Sequence, residues 1–152
     1  SCGFSPPPRG AVMVGPHAFD LDARLEQDTV LIADWHLCQV RLMNDQRYPW
    51  VILVPKVPGV AEIHELADEQ QHLLMGESIR LSKALDQLYS PHKLNIAALG
   101  NVVRQLHVHH VARFEDDAVF PSPVWGVGTV QPYGSDELTQ TVSALTIAFD
   151  LL

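Results

Sequence analysis

The amino-acid sequence predicts an α+β domain, an antiparallel sheet of about five strands with one long helix packed on it. Short apolar runs rich in β-branched residues fall at 29–33, 38–43, 50–55, 93–99 and 103–112. Between the third and fourth runs, Leu74, Leu81, Leu85 and Leu88 recur at helical spacing and form one core-facing stripe. The order is therefore strands, a helix, then two more strands, with no internal repeat.

Each element has a local reason. Residues 1–18 are rich in proline and glycine, with Pro6-Pro7-Pro8 in succession, and read as an extended N-terminal arm. They lack the continuous apolar stretch of a signal peptide. Residues 19–152 then form a single domain that includes a C-terminal extension. In 19–26 charges mix with Leu21 and Leu25, which suits a short strand or a turn of helix. Residues 29–33 and 38–43 read as a hairpin connected through 34–37. A polar loop at 44–49 precedes the strongly apolar run 50–55, which Pro55 ends, and Val57-Pro58-Gly59 is a turn. Residues 60–66 form a short helix. Asp68 caps a longer one reaching about Tyr89, with Glu69 in its first turn, where the helix dipole favours an acid. Ser90-Pro91-His92 ends it. A strand at 93–99, a Gly100-Asn101 turn and a strand at 103–112 follow, and the chain closes with an amphipathic helix at 136–152.

Composition narrows the function. The chain has 152 residues and 47% hydrophobic content, enough for one domain with a core. Its 18 acidic and 10 basic side chains give a net charge of −8, which argues against binding duplex nucleic acid. A small anion remains compatible, because local donors bind phosphate on acidic proteins too. Two cysteines, Cys2 and Cys38, do not make a disulfide framework and fit a reducing, cytoplasmic setting. No apolar run has the length of a membrane span.

The most informative stretch is Gln105-Leu106-His107-Val108-His109-His110-Val111-Ala112-Arg113, which holds three of the eight histidines. On a half-buried strand, Leu106, Val108, His110 and Ala112 point one way and Gln105, His107 and His109 the other. Imidazole is suited to nucleophilic and proton-transfer work near neutral pH. His110, at an apolar position, reads as a buried hydrogen-bonded residue. His107 and His109 would need a third ligand on their face to hold zinc, and none is near in sequence; no metal or cofactor is expected.

The segment from Gly100-Asn101-Val102-Val103-Arg104 through Arg113 resembles the signature of the histidine triad (HIT) superfamily. That signature is a Gly-Gln turn followed by three histidines alternating with apolar residues. Leu42-Met43-Asn44, Tyr48-Pro49 and the strand at 50–55 resemble the family's first nucleotide-contacting strands, and the likeness covers about residues 19–113. The triad aligns in two ways, starting at His107 or at Gln105. The second keeps Gly100 at the usual distance and puts Asn101 at the Gln position. Gln105 then replaces the first histidine, His107 is central and His109 third.

The resemblance implies attack of His107 on the α-phosphorus of a nucleotide or dinucleotide, forming a covalent nucleotidyl-histidine that water or another phosphate resolves. His109 and Gln105 complete the catalytic set. Asn44, Asn95, Gly100 and Asn101 stand at substrate-binding positions, and a homodimer is expected. Three positions depart from the pattern. Gln105 cannot titrate, Val102 stands where many members carry a hydroxyl, and Trp50 stands where some have a further histidine. They suggest a second reading, a nucleotide-binding domain with weak turnover.

Overall fold

The computed structural model describes residues 18–152, so the arm expected at 1–18 lies almost wholly outside the described residues. Five strands form one antiparallel sheet: β1 (Thr29–Asp34), β2 (Cys38–Met43), β3 (Trp50–Pro55), β4 (Lys93–Ala97) and β5 (Val108–Arg113). They lie in the order β1-β2-β3-β5-β4. Helix α1 (Ala23–Asp28) precedes the sheet, α2 (Asp68–Tyr89) links β3 to β4, and α3 (Ser135–Asp150) ends the chain. The α+β class with one long helix on an antiparallel sheet is the fold observed.

Both faces of the sheet are covered. On one, Val40, Leu42, Val51, Leu53 and Val108 pack against Leu74, Leu81 and Leu85 of α2 and Leu145 and Phe149 of α3. On the other, Trp50, Ile52, Val54 and Val111 pack against Leu25 of α1, Tyr48 and Val124. β3 and β5 are therefore buried along their whole length, and β5 is not the half-buried strand its alternation suggests. The alternation still sorts the histidines. Val51 pairs with His110 and Ile52 with His109, so His110 lies on the helix face and His109 on the opposite one. His110 accepts from Ser78 of α2 at 2.7 Å through Nε2, while its Nδ1 donates to the Val108 carbonyl at 3.1 Å.

Several boundaries differ from the sequence expectation. β5 begins at Val108 rather than at 103, because β4 runs out on one side: Ala97, its last residue, is opposite His109, and on the other side the last paired residue is Val108, opposite Leu53. The Leu106 N–H goes instead to the carbonyl of Val60. The short helix expected at 60–66 is one 3-10 turn, Ile63–Glu65. Ala67, not Asp68, stands at the N-cap of α2; its N–H is taken by the Gln70 side chain at 2.9 Å. Leu88 sits at the rim of the leucine stripe, 37% exposed. Residues 19–26 resolve as coil followed by α1, capped by the Asp22 side chain on the Arg24 N–H.

Candidate active site

His107 lies one residue before β5, and its ring is buried. Its Nδ1 is 2.7 Å from the backbone carbonyl of Gln105. A carbonyl only accepts, so Nδ1 carries the proton and Nε2 keeps its lone pair. Among the described residues no protein group pairs with that Nε2. The ring lies where two cavities meet. One, of about 310 Å³, is lined by Glu62, Asn101, Arg104 and Gln105; the other, of about 360 Å³, by Arg24, Leu25, Trp50, His109 and Trp125.

Gly100 explains the close approach of the preceding loop. A Cβ there would lie 2.5 Å from the Val103 carbonyl oxygen and 3.4 Å from Cε1 of His107. The clash with that carbonyl is what requires glycine here; the approach to the imidazole is an ordinary contact.

His109 is held at both nitrogens. The indole N–H of Trp50 donates to Nδ1 at 3.0 Å, so the proton sits on Nε2 and is donated to the Leu99 carbonyl at 3.0 Å. Burial among aromatic rings pushes its pKa down to about 4, which leaves the ring uncharged at neutral pH. Its centroid is 4.9 Å from that of His107 and 5.3 Å from Trp125.

The other expected residues are distributed unevenly. Asn101 lines both cavities at His107, and Val102 stands at the rim, 73% exposed. Asn44 lines a neighbouring cavity with Asp28 and Trp50, and its side-chain carbonyl accepts from the Tyr133 N–H at 2.9 Å. Asn95 stands apart and accepts from Arg113 at 2.9 Å. That arginine is buried against Asp117, whose carboxyl burial would raise. The Arg113 guanidinium and the N–H groups of Phe114, Val119 and Phe120 outweigh burial and hold it down to about 2.

The side chain of Gln105 does not reach His107. Its carbonyl accepts from the Asp22 N–H at 2.8 Å and its amide donates to the Asp20 carbonyl at 2.8 Å. Gln105 thus touches the His107 ring through its backbone carbonyl and not through its side chain. Sequence reasoning missed α1 as a cavity wall, with Arg24 and Asp28, although the Leu21–Leu25 spacing was a helical signal. Among the described residues no cluster of three or more His, Cys, Asp or Glu is placed to hold a metal ion.

The sequence matches the family model described as HIT domain over residues 24–116. Among solved structures, a histidine triad protein from Bradyrhizobium japonicum is 45% identical, covering 87% of this chain and 98% of its own, with a TM-score of 0.85. One from Marinobacter aquaeolei is 44% identical over 89% of this chain and 98% of its own, with a TM-score of 0.86. One from Sinorhizobium meliloti is 43% identical over 86% and 96%, with a TM-score of 0.84. No curated protein matches. A matched model spanning well over half the sequence, and close structural relatives over nearly their whole length, identify the chain as a member of the histidine triad family.

Proposed function

We propose that the protein is a nucleotide phosphohydrolase or nucleotidylyl transferase that acts at an α-phosphate through a covalent nucleotidyl-histidine on His107. Family membership supports the coarser reading, since the superfamily consists of nucleotide-binding hydrolases and transferases. The observation that carries the finer one is the Nδ1–H···O=C bond from His107 to Gln105, which leaves the Nε2 lone pair at the junction of two cavities. In the first step a bond forms from Nε2 to phosphorus as the bond to the leaving group breaks, and the leaving group departs with the electron pair. The imidazole gains positive charge, which the Gln105 carbonyl stabilises through Nδ1–H. Water, losing a proton, or a second phosphate then attacks the same phosphorus and frees His107.

The remaining groups fit binding roles. His109 is an uncharged Nε2–H donor beside the reacting centre and shares that proton with a phosphoryl oxygen when substrate is bound. Asn101 and the backbone around Gly100 add polar contacts. The nucleoside end falls where Trp50, Leu25 and Trp125 offer apolar and aromatic walls, and Asn44 lines the adjoining cavity that shares Trp50. No metal or cofactor enters this scheme. The net charge of −8 favours a small ligand over a nucleic-acid duplex, and none of the described helices is long and apolar enough to cross a membrane. The free, buried Cys38 fits a cytoplasmic setting.

We further propose a homodimer built on β4, an edge strand of the sheet. Ile96 lies opposite His110, on the helix face, and is 49% exposed. Met75 and Ile79, which flank Ser78 on α2, are 62% and 48% exposed. These exposed apolar side chains, with a strand edge unpaired among the described residues, suit a contact with a second copy.

The second reading, a nucleotide-binding domain with weak turnover, rests on Val102, which offers no proton at the cavity rim. Incubation with a labelled adenylated or guanylated phosphoramidate or a dinucleotide separates the two. The enzyme reading expects acid-labile label on the protein, lost in His107→Ala and kept in His110→Gln. Nucleotide binding without label in wild type leaves the second reading.

A further inference from the structure

The Gln105 side chain joins two parts of the chain more than 80 positions apart. It makes one bond on each side of the turn that starts α1, to Asp22 N–H and Asp20 C=O, both at 2.8 Å. Asp22 is the N-cap of α1, and that helix has only six residues, too short to hold itself together. Its other end is anchored to the sheet. The Asn44 N–H donates to the Asp28 carbonyl at 2.9 Å, and β1 follows directly. Between these two anchors α1 presents Arg24, Leu25 and Asp28 to the cavity that holds His107 and His109. Leu25 is 5% exposed and packs with Trp50 and Val124.

We infer that Gln105 is a positioning residue whose amide latches the segment before α1 and so keeps the ligand-facing wall of the cavity in place. This rests on the nucleotide reading of the site. The chemistry of a side-chain amide matters here. It offers one acceptor and one donor on the same planar group, and the two backbone partners take one each. A neutral histidine also offers one donor and one acceptor, but they diverge across the ring, whereas those of the amide can point the same way. The replacement therefore trades a titratable group for a fastening, while the backbone carbonyl of the same residue continues to orient His107.

The test compares wild type, Gln105→Ala and Gln105→Glu in steady-state turnover and labelling with the adenylated phosphoramidate. Thermal unfolding confirms that each variant is folded. Loss of two backbone hydrogen bonds in Gln105→Ala raises KM about tenfold or more, with kcat and labelling at saturation within about twofold of wild type. Gln105→Glu keeps the acceptor, loses the donor and falls between. A fall in kcat with unchanged KM overturns the latch, because it makes the side chain part of the chemistry. Parameters equal to wild type also overturn it. If wild type neither binds nor labels, the nucleotide reading fails, and amide exchange decides the latch by itself. Faster exchange confined to residues 20–28 in Gln105→Ala supports it; unchanged exchange there overturns it.

Discussion

The single most constrained side chain of the site is His109, whose two nitrogens are both committed, one to Trp50 and one to the Leu99 carbonyl. Trp50→Phe keeps an aromatic ring but removes the indole N–H and some packed volume, leaving a buried nitrogen unpaired. Chemical denaturation should show a loss of about 1–3 kcal/mol. His109 and His110 also set a pH response. Burial lowers each to about 4, against about 6.5 in the unfolded chain. Above 6.5 both states are neutral and the titration of neither histidine affects stability. As pH falls from 6.5 toward 4, the unfolded chain takes up the protons first, so stability drops by about 1.4 kcal/mol per pH unit per histidine and levels off below 4. Calorimetry across that range checks the sign and the window. That His109 and His110 face opposite sides of the sheet was foreshadowed by alternation, since a strand sends neighbours to opposite faces. The partners of the site residues were not. Leu99 O, Asp20 O and Asp22 N are backbone atoms, which every residue type offers alike, and Trp50 reaches His109 across 59 positions.

At the scale of elements, periodicity located all five strands and α2 and α3, because each buries a patterned face. It misjudged where β5 begins, since pairing depends on the length of the neighbouring strands and not on the strand's own residues. It also left α1 undecided, because six residues hold too few periods to choose between helix and strand. The segment after β5 is fastened by Asp117, which binds Arg113 at 2.8 Å and accepts from three backbone N–H groups. This knot turns the chain back so that Val124 and Trp125 reach the site. Both partners are almost fully buried. Asp117→Ala strands the guanidinium in the interior and should cost about 3–5 kcal/mol in equilibrium unfolding, with the near-UV signal of the tryptophans altered.

For the molecule as a whole, the sheet has two unlike edges. β1 is covered in part by α1 and α3, whereas β4 has no partner strand on its outer side among the described residues and carries the exposed Ile96. Light scattering should give twice the chain mass for wild type and the chain mass for Ile96→Lys; a wild-type monomer would remove the dimer from the proposal. The three tryptophans are divided just as unevenly between the two sides of the sheet. Trp35 sits against Phe149, 5.0 Å between centroids, under the guanidinium of Arg80. Trp50 and Trp125 stand edge to face, 6.1 Å apart, in the wall of the His107 cavity. Two of the chain's three tryptophans thus border the space a ligand would fill, and in a Trp35→Phe background they are the only indoles. The protein carries its own optical gauge of occupancy, readable by titration without a label and before any substrate has been named.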